Sequence, residues 1–143
     1  MDEIDTTLPA KAGLPGLRVA RSKVHGYGVF TRRAFREGEV IAEVDGVALR
    51  ADEIADDTYC LWVREGLLYD MVDQTRWINH SCEPNVSVRV GESGGEVSAH
   101  FVALRDIAAG EELFYDYAFA PEYAIPCHCG SRLCRGTIVY TET

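Results

Sequence analysis

The sequence predicts a mainly β protein built from several small sheets, with little helix. Three observations support this fold class: apolar and polar residues alternate at period two, turn residues separate the short runs, and apolar spacing near 3.6 residues is scarce. The chain has 143 residues, of which 47% are hydrophobic. That is enough for one compact core and too little for two ordinary domains, so we expect one folded domain.

Six runs rich in β-branched and aromatic residues are predicted strands. In chain order they are residues 17–20, 28–31, 39–44, 86–90, 97–104 and 112–115. Two similar turns, 36–39 and 108–111, each close on Gly-Glu, and the glycine-rich run 91–95 predicts a hairpin between two strands. The best helix candidates are residues 51–57 and a short turn at 75–79.

The first residues differ from the rest of the chain. Residues 1–16 begin with an acidic stretch and continue with two prolines and two glycines, which predicts a flexible tail. The sequence has no basic region followed by an apolar one at its start, and no run of eighteen apolar residues. We therefore expect an intracellular protein without a membrane partner, cytoplasmic if bacterial and nuclear or chromatin-associated if eukaryotic.

Charge and cysteine content restrict the partners and the metal chemistry. The formal net charge of −9 disfavours direct binding of nucleic acid and favours basic partners, although acidity also simply keeps a small protein soluble. Five cysteines, an odd number in a chain without an export signal, argue against a disulfide framework. Reduced thiols are then available as metal ligands.

A cysteine cluster near the C-terminus predicts one structural zinc site. Three thiols lie close together in sequence at Cys127, Cys129 and Cys134, and tetrahedral zinc needs a fourth ligand. Cys82 is the preferred fourth ligand, and His128, between two of the cysteines, is the alternative. Cys60 is then left as a core thiol. A site closed by four cysteines has no open coordination position, so its metal would assemble the site rather than catalyse.

Two tyrosines and a glycine pair are further candidates. Tyr115 and Tyr117 are two apart on a predicted strand and share one face, either as core aromatics or as the rim of a channel. Phenol groups suit an amine or cation, through the ring face and the hydroxyl. Glycines on both sides of Tyr27 allow a ligand to approach the backbone, although such a pair is more often only a turn.

Read in order, four motifs resemble the SET-domain protein lysine methyltransferases with a post-SET zinc loop. They are His25-Gly26-Tyr27-Gly28-Val29-Phe30, Asn79-His80-Ser81-Cys82 with its flanks, Glu112-Leu113-Phe114-Tyr115-Asp116-Tyr117, and the cysteine run from Cys127 to Gly136. The resemblance covers residues 17–139. It implies small curved β-sheets around a pseudoknot, a SET domain at 17–120, and a post-SET zinc loop with a C-terminal tail at 121–143.

The resemblance also implies a reaction and its residues. The reaction is methyl transfer from S-adenosyl-L-methionine to a lysine of a basic protein segment, such as a histone tail. Tyr117 resembles the catalytic tyrosine and Tyr59 a channel tyrosine, while Tyr115 holds a position that usually restricts the product to one or two methyl groups. The residues implied to bind the cofactor are Gly26, Tyr27, Gly28, Asn79, His80, Tyr117, Phe119 and Leu133.

Two alternatives stay open. The family's usual Gly-Asn before the Asn-His motif is replaced by residues 72–77 of this chain, which leaves room for a non-catalytic SET module that binds protein partners. The second alternative is a zinc-stabilised structural domain whose tyrosines only fill the core. The insert between Val44 and Asn79 is short, so the sequence names no particular substrate.

Overall fold

The computed structural model describes residues 16–118 and 124–139, and in that part of the chain the fold is mainly β, as predicted. Twelve strands are described: β1 (Leu17–Arg21), β2 (Tyr27–Thr31), β3 (Val40–Glu43), β4 (Gly46–Arg50), β5 (Cys60–Arg64), β6 (Leu67–Met71), β7 (Asn79–His80), β8 (Val86–Ser93), β9 (Glu96–Ala103), β10 (Phe114–Tyr115), β11 (Ile125–Pro126) and β12 (Thr137–Ile138). Two single-turn 3₁₀ helices span Ala51–Glu53 and Gln74–Trp77. None of the helices in the described residues is long and apolar enough to cross a membrane.

The strands form five small sheets within the described residues. β1 pairs with β2 and β11 with β12, both antiparallel, and the three-stranded sheets have the orders β3-β9-β8 and β4-β6-β5. The predicted β8–β9 hairpin is confirmed, with a register from Val86↔Ala103 to Ser93↔Glu96. Its two-residue turn consists of Gly94 and Gly95, whose φ angles of 57° and 84° suit a turn that needs positive φ at both positions.

The two similar turns predicted at 36–39 and 108–111 lie side by side. Phe35 and Ile107, which precede them, form an isolated antiparallel bridge with hydrogen bonds of 2.9 and 2.8 Å in the two directions. Both side chains are buried. The repeated sequence pattern therefore reflects two turns that support each other.

The sheet β4-β6-β5 was missed by the sequence analysis. Its β5–β6 hairpin turns through Glu65 and Gly66, and Gly66 has a φ of 80°. A glycine between two apolar runs is a turn signal that could have revealed it. The helix predicted at 51–57 is wrong beyond residue 53, because the Ala51–Glu53 turn has no buried side chain to hold it against the core.

The main core is a single cluster that draws side chains from most of the sheets. Phe101 and Leu113 are fully buried at its centre, and Tyr115 belongs to it with 8% of its surface exposed. A smaller cluster contains Cys127, Cys129 and Ile138. Tyr117 packs against both clusters, so it lies where the main core meets the cysteine-rich loop.

Residues 79–85, here called the crossing segment, pass around strand β10. β7 pairs with β10 in parallel, with Asn79 opposite Phe114 and His80 opposite Tyr115. Ser81 N–H donates to the Tyr115 carbonyl at 3.2 Å, while Asn85 N–H donates to the Phe114 carbonyl at 3.1 Å. Consecutive carbonyls of an extended strand point to opposite sides, so the segment contacts both sides of β10. This is the crossing of the pseudoknot that the family resemblance implied.

Candidate active site and metal centre

Tyr115 and Tyr117 form one aromatic wall beside the crossing segment. Their ring centroids are 4.7 Å apart at an interplanar angle of 51°. Tyr115 packs edge-on against Phe101 at 5.2 Å, and Tyr117 packs edge-on against His80 at 5.3 Å. Tyr115 is thus a core aromatic, as one interpretation of the pair expected, whereas Tyr117 lies at the edge of the core.

The Tyr117 hydroxyl has a fixed direction. It donates a hydrogen bond to the Ile78 carbonyl at 2.7 Å. Burial, followed by the neighbouring Tyr59 and Glu112, raises the pKa of Tyr117, so the phenol is neutral near pH 7. Because its proton points at Ile78, the oxygen presents its lone pairs elsewhere as an acceptor. The group can orient an amine but is not a phenolate base.

His80 connects residues 112–117, which include β10 and are here called the tyrosine strand, to the cysteine cluster. Its Nδ1 accepts a hydrogen bond from the Tyr117 backbone N–H at 3.0 Å, which assigns the ring proton to Nε2. Nε2 lies 3.5 Å from the Cys82 sulfur. Burial lowers the pKa of His80, an effect that Asp116 opposes and Arg135 reinforces. A neutral imidazole therefore bridges the backbone of Tyr117 and a thiol of the cluster.

Asn79 fixes the turn before β2. Its side-chain amide donates to the carbonyls of His25 and Tyr27, both at 3.0 Å, and to the Glu112 carboxylate at 3.1 Å. Asn79 is only 7% exposed. The buried amide thus holds the glycine-containing turn, the crossing segment and the start of the tyrosine strand in one arrangement.

Gly26 and Gly28 are glycines for different reasons. Gly26 has a φ of 47°, and a Cβ at this position would have no neighbour within 4 Å. At Gly28 a Cβ would lie 2.2 Å from Oε2 of Glu112, whose other oxygen accepts from the Ser22 hydroxyl at 2.9 Å. Gly26 therefore borders open space, where a ligand has room, whereas Gly28 makes room for a carboxylate of the protein itself.

Two further aromatic contacts border this region. The Tyr27 and Trp77 rings are 5.7 Å apart with a tilt of 30°, and Tyr27 is 38% exposed. The Arg76 guanidinium lies over the Tyr59 ring at 4.1 Å from the centroid. The structure thus places the partly exposed ring of Tyr27 next to Gly26, and the guanidinium of Arg76 against the Tyr59 ring.

The four cysteines predicted as zinc ligands lie together. The sulfur atoms of Cys82, Cys127, Cys129 and Cys134 are all within 4.8 Å of one another. The Cys82 and Cys127 sulfurs are 3.8 Å apart, and a tetrahedron with Zn–S bonds of about 2.3 Å has edges of about 3.8 Å. The donor set and its spacing therefore fit one structural zinc. The grouping includes Cys82 and not His128, which is exposed.

The pKa values of two of these thiols shift in opposite directions. Burial and the neighbouring thiols raise the pKa of Cys127 to about 12. Burial alone would raise the pKa of Cys129, but hydrogen bonds from the backbone N–H groups of Cys82 and Ser131 and from the neighbouring thiols lower it to about 6. The Arg135 N–H lies 3.3 Å from the Cys82 sulfur and the Gly136 N–H 3.4 Å from the Cys134 sulfur. Backbone N–H groups pointed at sulfur stabilise the thiolate form that binds zinc.

The remaining predicted residues have mixed outcomes. Leu133 lies on the cysteine loop with 63% of its surface exposed, and Phe119 lies outside the described residues. Cys60 is half-buried rather than a core thiol. Its sulfur is 3.8 Å from a carboxylate oxygen of Asp70, and burial, with that neighbour, raises its pKa to about 11.

Sequence reasoning missed Glu112, Asp116 and Arg135 as contributors to the site. Each makes a contact over a long sequence separation, such as 90 residues between Glu112 and Ser22. The available signal was local charge: Glu112 and Asp116 are acidic residues on either side of a short apolar strand, and Arg135 directly follows a predicted ligand.

Comparisons with known proteins agree with this geometry. The family model described as SET domain matches residues 26–118. Histone-lysine N-methyltransferase 2B of Homo sapiens is 37% identical over 142 residues, which cover 87% of this chain and 5% of that protein. Histone-lysine N-methyltransferase ATX2 of Arabidopsis thaliana is 34% identical over 149 residues, covering 88% of this chain and 13% of that protein.

A solved structure shares the fold. The crystal structure of KRYPTONITE in complex with mCHH DNA, H3(1-15) peptide and SAH matches with a TM-score of 0.73 and 27% identity, over 85% of this chain and 29% of that one. The chain therefore spans only a small part of the length of these relatives.

Proposed function

The chain belongs to the SET-domain family, and from this premise we propose that it is an S-adenosyl-L-methionine-dependent protein-lysine N-methyltransferase. The observation that carries the proposal is the placement of Tyr117. Its hydroxyl is fixed on the Ile78 carbonyl, directly before Asn79, whose side chain holds the turn at His25 and Tyr27. One short segment thus fixes both the candidate reacting group and the candidate cofactor turn.

The donor side is assigned to the turn around Gly26, with Tyr27, Asn79 and His80 as its frame. Open space at Gly26 leaves the backbone accessible, and the exposed Tyr27 ring offers an apolar face. S-adenosyl-L-methionine supplies an electrophilic methyl group on a positively charged sulfonium. The carboxylate of Glu112, held by Ser22 and Asn79, gives this side a negative charge that complements a cationic ligand.

The acceptor side is assigned to Tyr117, Tyr115 and Tyr59. The Tyr117 oxygen, with its proton engaged by Ile78, accepts a hydrogen bond from the lysine amine and orients its lone pair toward the methyl group. An apolar aromatic wall excludes water and favours the neutral amine of a lysine whose ordinary pKa is about 10.4. Arg76 over the Tyr59 ring adds a positive charge that acts in the same direction.

We assign one or two methyl groups to the product, because the Tyr115 ring lies beside the Tyr117 ring, with centroids 4.7 Å apart, and we place its hydroxyl at the inner end of the acceptor side. Replacing Tyr115 with Phe removes that hydroxyl and should allow further methylation of the same lysine. The measurement is mass spectrometry of a methylated peptide. Tyr69→Phe is the matched control, because Tyr69 is also a buried tyrosine but its hydroxyl donates to the Val44 carbonyl. An unchanged distribution of methyl states in Tyr115→Phe contradicts this assignment.

The proposed substrate is a basic, lysine-containing protein segment of the histone H3 type. The net charge of −9 favours such a partner. The names of the relatives and the H3 peptide and SAH in the KRYPTONITE structure support the same substrate and cofactor classes. The acidic chain itself gives no reason to propose direct nucleic-acid binding.

The test is incubation of the protein with methyl-labelled S-adenosyl-L-methionine and an H3-tail peptide. The proposal expects label on lysine in the peptide and none in a peptide whose lysines are replaced by arginine. The alternative, a non-catalytic SET module, is separated by calorimetry, because a domain without a cofactor pocket gives no saturable heat with S-adenosyl-L-methionine. Saturable binding without transfer to any basic substrate would instead indicate a module that keeps the cofactor pocket but does not turn over.

A further inference from the structure

Arg135 joins the cysteine loop to the tyrosine strand by two different groups. Its guanidinium donates to both carboxylate oxygens of Asp116, with both N–O distances at 3.0 Å. Its backbone N–H lies 3.3 Å from the Cys82 sulfur. The side chains are 26% and 31% exposed, so the pair is partly shielded from solvent. A bidentate contact of this kind fixes the orientation of the guanidinium relative to the carboxylate as well as their distance.

Asp116 in turn fixes the backbone after Tyr117. Its Oδ1 accepts from the Ala118 N–H at 3.0 Å. Ala118 has a φ of 51°, and among the described residues it is the non-glycine residue with positive φ. An alanine in the left-handed region is strained and persists only where its surroundings determine the conformation. The carboxylate held by Arg135 contacts this strained residue at its backbone N–H.

We propose that Arg135 is a positioning residue, which transmits the order of the metal-binding loop to Tyr117 through Asp116. The path runs from the cysteine cluster through Arg135 to Asp116 and Ala118, and it meets the His80 bridge where Asp116 Oδ1 lies 3.7 Å from His80 Nδ1. With both connections in place, the Tyr117 N–H is held at His80 and its hydroxyl at Ile78. This inference rests on the proposed methyl transfer for its kinetic consequence, but its structural part stands apart from it.

The chain provides a matched control for the ion pair. Arg64 also donates two hydrogen bonds to one carboxylate, that of Glu92, at 2.8 and 3.3 Å. Arg64 is more exposed than Arg135, at 60% against 26%, while Glu92 at 30% is as exposed as Asp116. The Arg64–Glu92 pair joins β5 to β8 rather than the cysteine loop to the tyrosine strand. Removing Arg64 deletes a similar ion pair without touching the proposed path.

The variants are Arg135→Ala, Arg135→Lys and Asp116→Asn, with Arg64→Ala as control. The structural readouts are zinc content and the hydrogen-exchange rates of the Tyr117 and Ala118 amides, measured by NMR on the zinc-loaded protein. We expect Arg135→Ala to keep its zinc, because its ligands and the main-chain N–H at position 135 remain. The two amides should exchange at least about tenfold faster than in the wild type, because their local opening becomes easier.

The kinetic experiment measures kcat and the KM for peptide separately. We expect Arg135→Ala to lower kcat about tenfold with the KM for peptide changed by less than about twofold, because a misplaced Tyr117 affects the transition state more than binding. Arg135→Lys keeps the positive charge but loses the bidentate contact, and Asp116→Asn keeps an acceptor for the Ala118 N–H. Both variants should therefore have kcat values between those of the wild type and Arg135→Ala. Arg64→Ala should match the wild type in both readouts.

Two outcomes overturn the inference. If the Tyr117 and Ala118 amides exchange at unchanged rates in a zinc-loaded Arg135→Ala protein, Arg135 does not restrain the backbone at these residues. Loss of zinc in both Arg135 variants shows that Arg135 builds the metal loop and does not position Tyr117. If Arg135→Ala does not fold, Arg135→Lys and Asp116→Asn decide by the same readouts. A wild type that transfers no methyl group removes the proposed function, while the exchange rates still decide the coupling.

Discussion

The crossing segment and the β5–β6 hairpin use polar residues in opposite ways. In the crossing segment Asn79, His80 and Asn85 are all less than 8% exposed, and each makes hydrogen bonds to backbone groups of other segments. In the hairpin Trp62 is 69% exposed, and Arg64 pairs with Glu92 at the surface. Buried, satisfied polar groups specify a single arrangement, whereas exposed ones contribute little to stability. The residues that define the site are therefore also those that define the crossing.

The largest expected effect is that of Asn85→Ala. The Asn85 side chain accepts from the Phe114 N–H at 2.8 Å and donates to the Glu112 carbonyl at 2.9 Å. Its removal leaves two backbone groups without partners, each at a cost of about 1–3 kcal/mol, so the free energy of unfolding should fall by about 2–6 kcal/mol. Denaturant unfolding measures this, and Asn85→Asp, which keeps the acceptor, should fall between. A loss below about 1 kcal/mol would show that the crossing tolerates unpaired groups.

A smaller effect is expected for Gly28→Ala. The new methyl group would lie 2.2 Å from Oε2 of Glu112, which must then move away from Ser22 and Asn79. We expect a loss of about 1–3 kcal/mol in unfolding free energy, together with weaker binding of S-adenosyl-L-methionine in calorimetry. The control is Gly91→Ala, because a Cβ there meets only the Ser98 hydroxyl at 3.7 Å. Equal behaviour of the two variants would mean that Glu112 does not organise the donor side.

The smallest effect is expected in the hairpin. Arg64→Ala deletes an exposed ion pair, and such pairs contribute little to stability because solvent screens them. The free energy of unfolding should stay close to that of the wild type, and methyl transfer to a short peptide should be unaffected. A change as large as that of Asn85→Ala would remove the contrast between the two regions.

Local patterns in the sequence predicted much of this molecule. The alternation of residues 86–104 and the glycines between the strands predicted the β8–β9 hairpin, and cysteine spacing predicted the metal loop. These features depend on neighbours in sequence, so the sequence records them directly. The sheet β4-β6-β5 was missed although its hairpin carried a turn signal at Gly66.

Contacts between distant segments were not predictable in the same way. The carboxylate of Glu112 occupies the space beside Gly28, and Arg135 reaches Asp116 across 19 positions. Such pairs depend on how the crossing folds the chain. Family resemblance supplied the crossing and the role proposed for Tyr117, and the individual contacts around them had to come from the structure.

The Tyr117 hydroxyl is the proposed point where donor and acceptor meet. The direct measurement is the single-turnover rate of methyl transfer to an H3-tail peptide by wild type and Tyr117→Phe, with zinc content, folding and S-adenosyl-L-methionine affinity matched. We expect the rate to fall by about 10²–10³, as for the loss of one preorganised hydrogen-bonding group in an active site. A rate within about twofold of the wild type would contradict the role given to Tyr117.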